Sequence, residues 1–153
     1  MKDETKPPGI RISQIFTVRS FFEHNGIAAE MSPLTPVGEI VTSIKISIGV
    51  EDSKLAGFVS VSVETSPEST GLYRFHVEIM GVMEADADSN MSLEEYLRGA
   101  GPPTLFPFAR EAVAALTGKG RFGPVWLPPF NFAAVAAQLT EKQLMEKGKD
   151  AIE

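Results

Sequence analysis

The reactive side chains of this 153-residue chain are few: two imidazoles, 20 carboxylates and no thiols. The missing cysteines exclude a disulfide framework, thiol catalysis and any zinc site with Cys ligands. With His24 and His76 alone, a multi-histidine metal centre is excluded as well. His76 alternates with Arg74 and Glu78 on the polar side of a strand pattern, where a solvated imidazole is structural or neutral rather than catalytic. Asp86, Asp88 and Asn90 open like a calcium loop, but the required Gly and Glu at its sixth and twelfth positions are Met91 and Leu97. An acidic solvated turn is the better description. Gly118-Lys119-Gly120 resembles a scrap of phosphate loop, yet the upstream Gly falls on Val113 and no Ser or Thr follows the Lys. No catalytic residue, cofactor or metal is expected, and the chain is not expected to be an enzyme. The reading from another class that stays open is a small α+β enzyme or ligand-binding module.

One segment carries a different chemistry. Arg121–Phe132 holds three Phe, the only Trp and three Pro in twelve residues. Some of these aromatics must fill core beneath the loop. Prolines, however, stiffen a loop and remove donors, so they can hold apolar side chains clear of any regular element. Stiff aromatics facing a groove bind apolar peptide segments at low entropy cost.

The elements around this loop follow from hydrophobic period. In the first strand Ile10, Ile12, Phe16, Val18 and Phe22 fall on even positions, with Ile15 and Phe21 as exceptions. The second sets Ile40, Ile44, Ile46, Ile48 and Val50 against Ser43, Lys45 and Ser47, the third alternates Val59, Val61 and Val63 with serines, and the fourth alternates Tyr73, Phe75, Val77 and Ile79 with Arg74, His76 and Glu78. Short turns at 52–57 and 66–71 make the last three an antiparallel meander with one covered and one wet face. Asn25-Gly26, Pro33 and Pro36 mark 24–36 as a long connection. Ser92-Leu93-Glu94-Glu95 is a capping box that opens a short helix. Thr104 is expected to cap a second helix that stops at Gly118, with Pro107 in its first turn, and Asn131 a third that runs to about Lys147. The whole is α+β with segregated layers. Residues 1–9 are expected to be a disordered tail, 10–147 a single domain and 148–153 a flexible tail.

Charge and hydropathy narrow the partners. Fourteen basic against 20 acidic residues give a net charge of −6, the wrong balance for a general nucleic-acid binder. The start of the chain has no apolar targeting segment, and the uncharged run Phe122–Thr140 is broken by Pro124, Pro128 and Pro129. A soluble, cytoplasmic protein with no membrane partner is expected.

Three elements in order carry a family resemblance. Leu105-Phe106-Pro107-Phe108-Ala109-Arg110-Glu111 resembles the L-F-P-Y-A-R-E segment of SecB, the bacterial protein-export chaperone family. Gly120-Arg121-Phe122 resembles that family's R-G-x-F element, and Leu127-Pro128-Pro129-Phe130-Asn131-Phe132 its L-x-P-V-N-F. Ile15-Phe16-Thr17 followed by Phe22-Glu23 is similar to the family's first strand, so the resemblance covers roughly residues 10–145.

The resemblance implies a four-stranded antiparallel sheet with helices packed on one face. It also implies a homotetramer built as a dimer of dimers, and an ATP-independent holdase that binds unfolded precursor polypeptides in apolar grooves during export. Ile40, Ile44, Phe122, Val125, Trp126, Leu127 and Phe130 are then the expected client contacts, with the loop residues over the groove and Ile40 and Ile44 beneath. The family's outer sheet face presents acids to a basic tail of the SecA motor. Here the corresponding positions include Arg19 and His76, with Arg74 at an apolar contact, and only Glu23 is retained. SecA docking is therefore expected to be weak or absent, which leaves room for a SecB-like chaperone dedicated to another client, such as an antitoxin.

Overall fold

The computed structural model describes residues 9–25 and 38–132. Most of the expected N-terminal tail, most of the connection at 24–36, and the last helix and tail beyond Phe132 lie outside the described residues. Four strands, β1 (Ile10–His24), β2 (Thr42–Val50), β3 (Ala56–Thr65) and β4 (Tyr73–Ala85), are followed by helices α1 (Leu93–Gly99) and α2 (Gly101–Gly118). The strands form one sheet in the order β1-β4-β3-β2, and every neighbouring pair is antiparallel. Both helices pack on one face, where Val59, Val61, Val63, Phe75, Val77 and Met83 of the sheet meet Leu93, Leu97, Leu105, Ala109 and Val113. The expected α+β architecture, a four-stranded antiparallel sheet with helices on one side, is the one observed.

The first strand departs from the expected alternation. Ser13 and Val18 have no opposite number on β4, because the register steps between Ile12 and Gln14 and again between Thr17 and Arg19. Each extra residue reverses the parity of the side chains that follow. Ile15 therefore stands opposite Gly81, and Phe22 opposite Phe75, on the core face. Phe16 pairs with Met80, and Phe21 with His76, on the other. The two residues that broke the period, Ile15 and Phe21, are where the bulges put them, and Phe16 and Val18 are exposed rather than core.

The helices start differently from expectation in one place. Ser92 caps α1 as its sequence implies, its hydroxyl accepting the Glu95 N–H at 3.1 Å. The second helix, however, begins at Gly101, not after Thr104. Pro102 and Pro103 do not break it, because first-turn residues need no N–H donor. Gly101 is held tightly against Val59 of β3. Thr104, now inside the helix, turns its hydroxyl back to donate to the Ala100 carbonyl at 2.7 Å. Pro107 consequently lies in the helix interior rather than the first turn.

Candidate functional site

The aromatic loop is fastened to the fold by side chains. Gly120 lies so close over Phe22 and Tyr73 that a β-carbon there would collide with both rings. The Tyr73 hydroxyl accepts the Phe122 N–H at 2.7 Å and donates to the Gly123 carbonyl at 2.9 Å. Burial of Tyr73 pushes its phenol pKa up, so the hydroxyl keeps the proton it donates. Thr117, fully buried near the end of α2, donates its hydroxyl to the Val113 carbonyl and accepts the Val125 N–H at 2.8 Å. His24 Nε2 accepts the Arg121 N–H at 3.0 Å, which requires a neutral ring with its hydrogen on Nδ1. Gly123 turns the loop with φ of 82°.

These fastenings divide the aromatics. Phe122 joins Phe22, His24 and Tyr73 in a cluster of edge-to-face and tilted rings with centroids 5.1–6.4 Å apart. Phe130 and Phe132 pack against Phe106 of α2. Leu127 is only 2% exposed and belongs to the core, so it seals the loop onto the fold, unlike the more open loop residues beside it. Trp126, between half-buried Val125 and buried Leu127, is 67% exposed. It is not a core residue of this chain. Ile40 covers Gly71 between β3 and β4, and Ile44 pairs with Val63; both are half-buried. They stand toward the same end of the sheet as Tyr73, but on the β2 side, and like Phe122, Val125 and Phe130 they pack against the one core.

The outer face, turned away from the helices, is less wet than alternation implied. Phe16, Met80, Val82 and Phe58 share it. Phe58 lies over Gly49, and a concavity of about 320 Å³ opens beside Phe58, Met80 and Val82. Beyond this apolar end come the polar groups. The His76 ring meets the Ser62 hydroxyl at 2.7 Å, Arg19 at 3.5 Å and Glu64 at 3.7 Å. Arg74 pairs with Glu23 at 3.3 Å. Arg19, Glu23, Arg74 and His76 thus do share one surface, and the acid retained there, Glu23, already has a cation beside it.

Elsewhere, Asp86 of the acidic turn accepts from Arg11 at 2.8 Å. Among the described residues no group of three or more His, Asp or Glu is placed to hold a metal ion, and no helix is long and apolar enough to cross a membrane. The sequence does not single out His24, Tyr73 or Thr117. Only the folded register reveals what each touches.

A two-layer chain with an aromatic loop fastened to it presents stiff apolar side chains of the kind that hold polypeptide segments. The comparisons agree. The family model of the preprotein translocase subunit SecB matches residues 3–143. The chain is 30% identical over 140 residues to the protein-export protein SecB of Actinobacillus succinogenes, covering 87% of this chain and 81% of that protein. It is 29% identical over 139 residues to the SecB of Rhodopseudomonas palustris, covering 89% and 87%. Its fold is similar to that of a Mycobacterium tuberculosis SecB-like chaperone solved with a ChAD peptide from an antitoxin, with a TM-score of 0.58, 17% identity, and coverage of 79% of this chain and 90% of that one. The chain belongs to the SecB family and is a molecular chaperone.

Proposed function

We propose that the chain is an ATP-independent holdase that keeps export precursors unfolded in the cytoplasm, gripping apolar client segments along Ile40, Ile44, Phe122, Val125, Trp126 and Phe130. The observation that supports this most directly is Trp126. Its neighbours on both sides are packed down, the Val125 N–H is hydrogen-bonded, and Trp126 still stands 67% exposed. A rigid, exposed indole offers large contact area with little entropy to lose. Unfolded clients present no fixed polar pattern, so apolar area at roughly 25 cal/mol per Å² must supply the affinity. Each contact is then weak, and a homotetramer multiplies it. Trp126→Ala tests the reading. The thermal midpoint should stay nearly unchanged while protection of an unfolded client from aggregation weakens. Undiminished protection by the folded variant would sink the assignment.

The outer face supports a second reading of the partner. With Arg19 and His76 in place of acids and Glu23 paired to Arg74, this surface is poorly suited to a cationic SecA tail. A chaperone dedicated to one client, such as an antitoxin, needs no such docking, and the similar mycobacterial chaperone holds an antitoxin peptide. Protecting several unrelated unfolded proteins equally well favours the general holdase; protecting one alone favours the dedicated form.

A further inference from the structure

The loop that carries Trp126 is held at its first end by a group that can change charge. His24 closes β1, stands opposite Tyr73 in the register, and receives the backbone N–H of Arg121. We propose that His24 is a pH-sensitive latch: when the ring is protonated, Nε2 becomes a donor, loses the Arg121 N–H, and frees the Arg121 end of the client-contacting loop. The coupling to clients rests on the holdase reading above; the latch itself does not.

The surroundings fit a latch rather than a permanent lock. An imidazole changes charge between about pH 5 and pH 8, and only its neutral form can accept a hydrogen bond. The rings facing it are Phe22 at 5.4 Å, Tyr73 at 5.5 Å and Phe122 at 6.4 Å, and aromatic rings tolerate a cation. Among the described residues the Tyr73 phenol from β4 stands against it, and the Arg121 guanidinium lies 5.9 Å from the centre of the Phe122 ring. Glu23 and Arg74, its chain neighbours on β1 and across β4, pair with each other on the opposite face. The two other fastenings, Tyr73 to Phe122 and Thr117 to Val125, do not depend on the ring's charge.

Amide hydrogen exchange, corrected for intrinsic rates, reads this directly. In the wild type, protection of the Arg121 amide should fall about tenfold between about pH 7.5 and about pH 5.5, while the Val125 amide keeps its protection. In His24→Gln, whose amide oxygen can accept but does not titrate, Arg121 should keep its protection at both. Equal protection of the wild type at both values, or the same loss in His24→Gln, overturns the latch. Client affinity, measured by anisotropy of a labelled unfolded protein, should fall several-fold on acidification in the wild type and less in His24→Gln. If the exchange result holds and affinity does not change, the latch does not act on clients. If Trp126→Ala also leaves aggregation protection intact, it is the holdase reading of the loop that fails, and the latch stands.

Discussion

Trp126 and Leu127 are adjacent in sequence and opposite in consequence. Leu127 is packed into the core, so Leu127→Ala should cost about 2–5 kcal/mol of stability by leaving a cavity. Trp126→Ala, at an exposed site, should cost about 0.5 kcal/mol or less in a denaturant titration. Tyr73 gives a pH-dependent counterpart. Its pKa in the folded chain is raised by burial, so its contribution is fully present below the unfolded phenol's value near 10 and is lost as pH rises through the higher folded value. Stability should therefore fall on the alkaline side, above about pH 10, as the phenolate loses its donor to Gly123. Tyr73→Phe should lower stability at neutral pH and flatten that alkaline limb. An alkaline limb identical in both proteins would show that other groups cause it.

Among the elements, β1 makes the sharpest prediction. Val18 is the surplus residue of a bulge, so deleting it leaves each pair from Arg19 to His24 and from Ile10 to Thr17 in place. Deleting Ser20, two positions on, forces one arm of the strand to slip and turns its side chains to the wrong face. The first deletion should shift the thermal midpoint by a few degrees at most, and the second should prevent folding. Equal damage from both would contradict the bulge. The same strand shows why the sequence was only partly legible. The β2, β3 and β4 patterns were clean because an unbroken pleat keeps parity, so Ile44, Val61 and Val77 declared their face. A bulge erases parity without leaving a residue type as its mark, and Ser13 and Val18 look like any other strand residues. The start of α2 was misplaced for a related reason: Pro102 and Pro103 carry the same signature whether they end one helix or open the next. At the loop, the aromatic composition announced a site, but nothing in it distinguished buried Leu127 from exposed Trp126.

At the scale of the whole molecule, one chain leaves apolar surface uncovered on both layers. Phe108 of α2 is exposed on the helix side, and Phe16, Phe21 and Phe58 are exposed on the sheet. A homotetramer should be the species seen by light scattering at micromolar concentration, and a stable monomer there would count against that assembly. Docking to the SecA tail should be weak. Arg19→Asp with Arg74→Leu removes two cations and releases Glu23 from its pair, so it should strengthen binding at low salt and lose the gain as salt rises. Wild-type binding as tight as that of acid-faced family members would contradict the electrostatic account.

The bulges of β1 also bear on solubility. Among the described strands β1 is an edge, 15 residues long and carrying exposed Ile12, Phe16, Val18 and Phe21, and an edge of that kind invites open-ended addition of foreign strands. A holdase lives among unfolded chains that would take such an invitation. The two register steps divide the edge into stretches 10–12, 14–17 and 19–24, and bulges of this kind bend an edge away from continuous strand addition. The irregularity that obscures the strand's pattern is thus of the same kind as the devices that blunt exposed edges.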